Sequence, residues 1–263
     1  MKFVAESIDQ RGVVYLTLNR PEIHNAFNDE LIVELTARVT ELNRNKTIRL
    51  MVLSGAGKSF CAGADLNWMK SMKDYSLEEN IQDSRRLDGL FAAFSACPVP
   101  VIGLVNGSAL GGGAGLVSVC DYVLAVESAR FGFTEVRLGL VPAVISPYVM
   151  DKIGARNALA WFLSGERFDA WVARDIGLVD AVVPDEELPE RGQAVINGFL
   201  KAAPGAQRHA KTLIREVERL KISGHEAVVK YTTGLIANLR VSEEGQEGMA
   251  ALLEKRKSSW MNE

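Results

Sequence analysis

The sequence has few of the residues that build covalent or metal-based scaffolds. Its 263 residues include only three cysteines and three histidines. No cysteine lies in a CxxC motif or in a Cys/His spacing, so neither a disulfide framework nor a zinc site is indicated. The histidines are scattered without a partner pattern, so the sequence does not indicate a histidine-based triad. We therefore expect no resident metal and reduced, packed cysteines.

An excess of one charge is also absent. The chain carries 30 Lys and Arg and 33 Asp and Glu, a formal net charge of −3. This charge does not indicate binding to nucleic acid or to an acidic membrane. No apolar run reaches the roughly 18 residues of a membrane span, and the N-terminus does not resemble a targeting segment. We expect a cytoplasmic protein with no nucleic-acid or membrane partner.

Strand and helix patterns alternate along the first part of the chain, which is long enough for one large domain or two small ones. Asn28 is placed to cap a helix, and strand-like runs alternate with helical ones. The alternation recurs over residues 12–42, 50–94 and 99–120. It predicts an α/β fold built from ββα-like repeats.

Beyond Pro142 the helical patterns dominate. We predict helices, separated by Gly154 and Gly165 and by one strand at 178–183, over residues 146–153, 155–163, 169–176, 186–201, 206–220, 224–239 and 243–255. The tail has more apolar residues than one helix face buries, which favours packing on another subunit. A helical cap on the same chain fits the pattern equally well. We divide the chain into a core, 1–200, and a helical region, 201–263.

A run of glycines, Gly111, Gly112, Gly113 and Gly115, lies between a strand at 99–105 and an expected helix at 116–120. Each glycine inside a helix costs about 1 kcal/mol relative to alanine, so folding alone does not explain the cluster. Glycines at a strand-to-helix turn expose N–H groups to an anion or a developing oxyanion. The alternative is that they only relieve crowding between the helix and the strand.

A second loop of small residues, 54–65, follows the strand at 50–53. Its Gly57-Lys58-Ser59 triplet is typical of phosphate-binding loops, but that motif also requires a glycine where Val52 stands, so we exclude a nucleotide triphosphatase. Small residues around Ala64 leave the backbone accessible. The two loops together could place two N–H groups around one carbonyl oxygen, which is the layout of an oxyanion hole.

Several stretches resemble the crotonase, or enoyl-CoA hydratase/isomerase, superfamily, and together they span essentially the whole chain. They are Asn19-Arg-Pro-Glu-Ile-His-Asn-Ala26, Phe60-Cys-Ala-Gly-Ala-Asp-Leu66, Asn106-Gly-Ser-Ala-Leu-Gly-Gly-Gly113, Phe131-Gly-Phe-Thr-Glu-Val-Arg-Leu-Gly-Leu-Val-Pro142 and Glu254-Lys-Arg-Lys257. The resemblance implies a crotonase-like spiral of ββα repeats. It also implies a C-terminal helical region that forms a homotrimer or a hexamer made of two trimers.

The same resemblance implies acyl-CoA thioester substrates, in which coenzyme A is part of the substrate and no separate cofactor is needed. By position, the N–H groups of Ala64 and Gly112 would form the oxyanion hole. The remaining expected substrate contacts are the backbone around His24, Ala26, Ala62, Asp65 and Leu66 for coenzyme A, with Trp68 walling the acyl pocket and Gly111 shaping the glycine turn.

Hydratases of this superfamily use two glutamates around the substrate double bond. One matches Glu135, which we expect to be the acid and base; the other falls at Gly115, which has no side chain. A single carboxylate can take and return one proton through water. Glu78, Glu79 and Asp83 are candidate substitutes for the second acid, but nothing in the sequence aims them at the site.

The segments 61–69, 135–148 and 164–169 resemble bacterial methylglutaconyl-CoA hydratases. We therefore expect a lyase that hydrates a 2-enoyl-CoA with a short or branched acyl group. Because the second glutamate is missing, three other enzymes of the same fold remain alternatives: a Δ3/Δ2-enoyl-CoA isomerase, a decarboxylase and a thioesterase. RNA binding, a role of another class, is disfavoured by the acidic composition.

Overall fold

The computed structural model describes residues 2–261, which contain ten strands and ten α-helices. The strands are β1 Val4–Ile8, β2 Val13–Leu18, β3 Leu50–Gly55, β4 Ser59–Cys61, β5 Val101–Val105, β6 Ser108–Leu110, β7 Tyr122–Val126, β8 Arg130–Gly132, β9 Arg167–Asp169 and β10 Ala181–Val183. The helices are α1 Asp29–Arg44, α2 Leu66–Ser71, α3 Leu77–Ser95, α4 Gly112–Ser118, α5 Ser146–Ser164, α6 Ala170–Asp175, α7 Leu188–Leu200, α8 Pro204–Lys221, α9 His225–Val241 and α10 Glu243–Leu253.

The strands form two sheets. One has six strands in the order β1-β2-β3-β5-β7-β10, and the other has four in the order β4-β6-β8-β9. Three times along the chain, two consecutive strands are followed by a helix, and the first strand belongs to the six-stranded sheet and the second to the four-stranded sheet. The consecutive strands are β3 and β4, β5 and β6, and β7 and β8. This arrangement confirms the predicted α/β fold of ββα repeats.

The six-stranded sheet contains most of the long apolar strands. β2, β3, β5, β7 and β10 pair in parallel, and only β1 runs antiparallel to its neighbour. Residues 50–53 of β3 are all buried. A central parallel strand is covered on both faces, which is why this segment is a continuous apolar run rather than an alternating one.

Helix α1 forms where the sequence predicts it. The Asn28 side chain accepts a hydrogen bond from the N–H of Leu31 at 2.9 Å, which satisfies one of the unpaired donors at the helix start. The buried residues of the helix are Leu31, Ile32, Leu35, Val39 and Leu42. Burial of this stripe, together with the cap, confirms the helix predicted from the spacing.

Helix α5 joins two helices that the sequence predicts separately. Gly154 adopts φ 74° and ψ 154°, which is not helical, so α5 consists of two helical stretches that meet at a kink there, as predicted. Gly165 ends α5 in the left-handed conformation, with its N–H donating to Trp161 O at 3.1 Å. Both glycines thus act where expected, because each backbone geometry is one that other residues rarely adopt.

Four strands are absent from the sequence-based prediction, and one helix begins earlier than predicted. The sequence does not predict β1 or β9, and it predicts a loop at β4 and a direct turn from strand to helix at β6. Helix α4 begins at Gly112, not Leu116. Glycine disfavours helices, but here Gly113 permits α4 to lie directly on Cys61, since a Cβ at Gly113 would overlap the Cys61 carbonyl oxygen.

The described residues fold as two compact units, one of residues 2–97 and 101–193 and the other of residues 98–100 and 194–261. All ten strands belong to the first unit. In the second, the Glu244 carboxylate accepts the N–H groups of Gly205 and Ala206 at 2.9 and 2.7 Å, which neutralises the start of α8. The boundary expected at residue 200 stays a prediction.

No helix among residues 2–261 is both long and apolar enough to cross a membrane.

Candidate active site

Three loops meet at one edge of the four-stranded sheet. β4, β6 and β8 are parallel neighbours, so their carboxyl ends lie at the same edge, where α/β sheets commonly bind ligands. Ala64, Gly112 and Glu135 each follow one of these strands within three residues of its end. The topology therefore places all three residues predicted to be catalytic at one edge.

The Ala64 N–H group points away from the segment around Phe27, with which Ala64 pairs. Ala64 forms an isolated parallel bridge with Phe27, in which Phe27 N–H donates to Gly63 O at 2.7 Å and Asp65 N–H donates to Phe27 O at 2.8 Å. These bonds use the groups on either side of Ala64. Its own N–H points to the opposite side and has no acceptor within residues 2–261.

Gly112 is the first residue of α4, where a backbone N–H has no partner inside the helix. A Cβ at Gly112 would lie 2.8 Å from Cε2 of Phe27. The Phe27 ring thus contacts Gly112 while the Phe27 backbone pairs with Ala64. One buried residue, Phe27, therefore contacts both loops.

Gly63 and Gly113 bring the two loops together without intervening side chains. A Cβ at Gly63 would lie 3.1 Å from Leu110 O, and one at Gly113 would overlap Cys61 O. The close approach of backbone to backbone accounts for glycine in these places despite its cost in a helix. Relief of crowding, the alternative reading of the glycine run, therefore explains Gly113.

Gly111 supports the Glu135 carboxylate. Its N–H donates to Gly132 O at 2.9 Å, and its backbone adopts φ 50° and ψ −121°. A Cβ at Gly111 would lie 3.0 Å from Oε1 of Glu135. Because its N–H is already used, Gly111 contributes by making room for the carboxylate.

Glu135 begins a short 3₁₀ helix, Glu135–Leu138, and its main-chain carbonyl accepts the N–H of Leu140 at 3.1 Å. Its Oε2 atom is buried and has no hydrogen-bond partner among the described residues. Burial raises the pKa of the Glu135 carboxyl above its usual value. A hydrogen bond from the backbone N–H of Glu135 lowers this pKa by a smaller amount. A carboxyl with a raised pKa is a stronger base when ionised, which suits proton transfer near neutral pH.

The space beside Gly115 is filled by two apolar side chains. A Cβ at Gly115 would lie 2.5 Å from Cγ2 of Ile145 and 3.0 Å from Cε1 of Phe91. Ile145 is 3% exposed and Phe91 is fully buried. A carboxylate at residue 115 would have no room, because the surroundings of Gly115 are apolar and close-packed.

The residues predicted to contact coenzyme A lie beside Ala64. The Ala62 N–H donates to His24 O at 3.0 Å, which joins the segment at 24–27 to the loop at 62–65. Ala26 is buried and Leu66 is 73% exposed. The structure therefore brings the predicted residues of the two loops together as one backbone-lined surface.

Asp65 has a structural role that the sequence did not indicate. Its carboxylate accepts the Asn67 N–H at 2.8 Å, which caps α2, and pairs with Arg20 at 2.9 Å. Arg20 also donates to Ala26 O at 2.7 Å. Arg20 was not predicted as a site residue, although it lies in the segment Asn19–Ala26 that carries the resemblance.

Asn25 and Phe27 were also missed. The buried Asn25 side chain donates to Ala56 O at 2.9 Å and Ser59 O at 2.8 Å, which fixes the loop beside the site. No local sequence signal identifies these bonds, because they join segments about thirty residues apart.

Trp68 lies on α2 immediately after the Ala64 loop and is 8% exposed. Its indole Nε1 is buried and has no hydrogen-bond partner within residues 2–261. Buried donors are satisfied in most folded proteins, so an unsatisfied one deserves a functional explanation. The position fits the predicted wall of the acyl pocket.

The other carboxylates considered from the sequence have local partners. Glu79 closes a capping box with Ser76 at the start of α3, Glu78 accepts from Gln82 at 2.9 Å, and Asp83 pairs with Arg86 at 3.0 Å. None of them replaces a second acid. The part of the chain that the structure describes also contains no group of three His, Cys, Asp or Glu residues that could hold a metal ion.

Comparison with known proteins agrees with this geometry. The profile of the enoyl-CoA hydratase/isomerase family matches residues 9–263. The chain belongs to this family. Among its relatives, the 2,3-dehydroadipyl-CoA hydratase of Escherichia coli is 34% identical over 94% of this chain and 94% of its own length.

Solved structures of the family are close to this one. A Legionella pneumophila protein assigned to the enoyl-CoA hydratase/isomerase (crotonase) group is 44% identical, with a TM-score of 0.92 and 98% of each chain covered. An enoyl-CoA hydratase from Shewanella pealeana is 36% identical, with a TM-score of 0.91 over 98% of this chain and 96% of the other. The fold is therefore the crotonase fold, and the protein is a hydratase-like member of this enzyme family.

Proposed function

We propose that the protein reversibly hydrates a 2-enoyl-CoA thioester, with Glu135 as the acid and base and with the N–H groups of Ala64 and Gly112 as the oxyanion hole. One observation carries the proposal: at one edge of the four-stranded sheet, two backbone N–H groups and the buried Oε2 of a carboxylate all lack a hydrogen-bond partner among residues 2–261. The names of the relatives support hydration as the reaction.

The oxyanion hole stabilises the charge that develops on the thioester oxygen. When water attacks C3 of the substrate, the π electrons shift and the thioester becomes an enolate. Each well-placed N–H donor is worth roughly 3–4 kcal/mol in such a transition state. Ala64 and Gly112 supply these donors from backbone held by Phe27, so little reorganisation is needed during the reaction.

Glu135 moves the proton in both halves of the reaction. The carboxylate takes a proton from water as the water oxygen bonds to C3, and the resulting carboxylic acid gives that proton to C2 as the enolate collapses. Atoms balance with one water consumed and Glu135 regenerated. A single carboxylate suffices in this scheme, which matches the absence of room for a second one beside Gly115.

The surface formed by His24, Ala26, Ala62, Asp65 and Leu66 is proposed to hold the adenine and pantetheine of coenzyme A. Coenzyme A enters as part of the substrate. Carbonyl groups along this surface can accept hydrogen bonds, and the exposed Leu66 offers an apolar contact. Trp68, with its unpartnered Nε1, is proposed to wall the acyl pocket.

For the acyl group, we propose a short or branched chain such as that of 3-methylglutaconyl-CoA. The resemblance of residues 61–69 and 135–148 to methylglutaconyl-CoA hydratases supports this choice. The apolar wall formed by Ile145 and Phe91 is consistent with a compact acyl group. Double-bond migration between Δ3 and Δ2 is the second candidate, since it also needs only one carboxylate, although the relatives' names favour hydration.

The C-terminal helices support a homotrimer, or a hexamer of two trimers. Large apolar residues on them are open to solvent in the single chain, namely Ile222, Val241, Leu252 and Leu253, which are 91%, 76%, 78% and 82% exposed. Exposed apolar surface of this extent is typical of subunit contacts. Light scattering after size exclusion distinguishes the two assemblies from a monomer.

The proposed reaction is tested by supplying crotonyl-CoA, 3-methylglutaconyl-CoA and a 3-enoyl-CoA and identifying each product by mass. Water addition gives a 3-hydroxyacyl-CoA, heavier by one water, whereas migration leaves the mass unchanged and creates a conjugated thioester. We expect water addition, fastest with 3-methylglutaconyl-CoA. Migration of the 3-enoyl ester without any water addition would overturn the proposal in favour of an isomerase.

A further inference from the structure

The side chain of Arg20 contacts both segments that meet at Ala64. Its Nη1 donates to Ala26 O at 2.7 Å, and its Nη2 donates to Asp65 Oδ2 at 2.9 Å. Ala26 directly precedes Phe27 in the chain. Asp65 directly follows Ala64, which pairs with Phe27 in an isolated bridge. One guanidinium therefore binds both sides of this bridge.

The two bonds of the Arg20 guanidinium require an arginine. The Arg20 and Asp65 side chains are only 12% and 11% exposed, so water competes weakly for these bonds. A guanidinium donates from two nitrogens in one plane, whereas the ammonium of a lysine is a single point charge. Arginine can thus bind the carboxylate and the carbonyl at once, and lysine cannot reproduce that geometry.

Other contacts fix the position of Arg20 itself. Its Cζ lies 5.1 Å from the centroid of the Phe3 ring, within the range of a cation–π contact. The Arg20 N–H donates to Asn25 Oδ1 at 2.8 Å, and the Asn25 N–H donates to Arg20 O at 2.9 Å. The backbone and the guanidinium of Arg20 are therefore both held by contacts within the protein.

The turn closed by Arg20 is strained. His24 and Asn25 have φ values of 55° and 56°, in the left-handed region that residues other than glycine rarely adopt. Such residues keep this conformation only where surrounding contacts enforce it. Because Ala26 follows the two strained residues directly, loss of its bond to Arg20 should let the turn and the adjoining bridge shift.

The direction of the Ala64 N–H depends on that bridge. Phe27 N–H donates to Gly63 O at 2.7 Å and Asp65 N–H donates to Phe27 O at 2.8 Å, so the peptide groups on both sides of Ala64 are set by Phe27. An oxyanion donor acts only when it is aimed at the place where the charge develops, and a displacement of about 1 Å can cost a hundredfold in rate.

We propose that Arg20 is a positioning residue for the oxyanion hole. Through Ala26 and Asp65 it holds the bridge that directs the Ala64 N–H toward the thioester oxygen. The inference rests on the proposed function, in which that N–H is an oxyanion donor. Arg20 itself touches none of the reacting atoms.

The test uses acetoacetyl-CoA, a 3-ketoacyl ester that has no double bond to hydrate. It loses a C2 proton to solvent water and forms an enolate, which absorbs in the near ultraviolet and carries negative charge on the thioester oxygen. The absorbance of the fully bound ester at constant pH gives the ratio of enolate to neutral ester. Butyryl-CoA, of the same chain length, forms no comparable enolate, and calorimetry measures its affinity.

We expect the wild-type protein to raise the enolate ratio at least about tenfold above that of the free ester. Arg20→Gln should lower the ratio of the bound ester at least about tenfold, while the affinity for butyryl-CoA falls by a smaller factor. Arg20→Lys should recover part of the ratio, since it keeps one of the two contacts. An unchanged ratio in both variants would overturn the inference.

Arg38→Gln is the matched control. Arg38 is a partly buried arginine that pairs with Glu6 and joins α1 to β1, away from the bridge at Ala64. Its loss should lower the thermal stability without changing the enolate ratio. Equal losses of the ratio in Arg38→Gln and Arg20→Gln would mean general loosening of the fold and would overturn the inference.

A double variant tests the route through Asp65. Arg20→Gln combined with Asp65→Asn should lower the enolate ratio by less than the product of the two single effects, because both changes break the same contact. Fully independent effects would contradict action through Asp65.

The outcomes separate this inference from the proposed reaction. A wild type that favours the enolate no more than water does would refute the oxyanion hole, and the role of Arg20 with it. A wild type that favours the enolate independently of Arg20 would refute the inference alone. Enolate stabilisation that depends on Arg20, in a protein that hydrates no enoyl ester, would support the inference and refute the proposed reaction.

Discussion

The carboxylate of Glu135 lies against the Cα atom of Gly111, so closely that a Cβ at Gly111 would be 3.0 Å from Oε1. Gly111 also has a backbone conformation, φ 50° and ψ −121°, that side chains rarely permit. The glycine thus fixes where the carboxylate lies relative to the oxyanion donors. The remaining Glu135 oxygen, Oε2, is buried and has no hydrogen-bond partner in the described part of the chain.

Gly111→Ala should therefore lower kcat by about tenfold or more, because the new methyl group displaces the carboxylate by a few tenths of an ångström to an ångström. The Michaelis constant should change less, since the coenzyme A surface is untouched. Steady-state kinetics measures both. Gly154→Ala is the matched control: it strains a glycine with φ 74° that has open space around its Cβ position.

If Gly154→Ala and Gly111→Ala lose activity equally, backbone strain rather than contact with Glu135 explains the effect. We expect Gly154→Ala to lose stability while keeping kcat within about twofold.

Gly115→Glu should destabilise the protein instead of supplying a second acid. The new side chain would overlap Ile145 and Phe91, and overpacking of a core typically costs about 1–3 kcal/mol or more. Ile145→Gly removes the nearest obstructing atoms. The double variant should therefore be more stable than the sum of the two single changes predicts.

Thermal or urea unfolding of the four proteins in this cycle measures the coupling. Additive effects, with no gain in the double variant, would show that Ile145 does not occupy the space beside residue 115.

Glu135→Gln should stabilise the fold at neutral pH. Burial raises the pKa of Glu135 in the folded state above the ordinary value of 4.5. The contribution of this carboxyl to the free energy of unfolding is therefore fully present below pH 4.5, and it is lost as the pH rises through the folded-state pKa. At neutral pH the wild type buries a charge that glutamine does not carry. The expected gain in Tm is about 2–4 °C for each unit by which the pKa is raised.

The gain should shrink as the pH falls toward 4.5, where the wild-type carboxyl becomes protonated. Calorimetric scans of both proteins across this range test the sign. A Tm for Glu135→Gln below that of the wild type at neutral pH would contradict the burial of an ionised carboxylate.

Much of the site could be predicted from local sequence. Glycines and small residues after strands predict accessible backbone at Ala64 and Gly112, and both residues follow the ends of adjacent strands. The resemblance pointed to Glu135. These features depend on residues close together in the chain, where pattern and turn chemistry are informative.

The parts that escaped prediction depend on distant contacts. Ile145 fills the space beside Gly115 from 30 residues away, and no periodicity encodes that meeting. β6 is three residues long and is recognisable only through its pairing with β4 and β8. Phe27 holds Ala64 with its backbone and Gly112 with its ring, which requires the folded arrangement of three segments.

The most direct test of the account is the rate at which Glu135→Gln adds water to a 2-enoyl-CoA, followed by loss of the conjugated thioester absorbance and by the mass of the 3-hydroxyacyl product. Affinity for a saturated acyl-CoA, measured beside it, establishes that the site still binds. We predict a rate at least about a hundredfold below that of the wild type, with binding retained. Hydration by Glu135→Gln at the wild-type rate would contradict the central claim that this carboxylate transfers the proton.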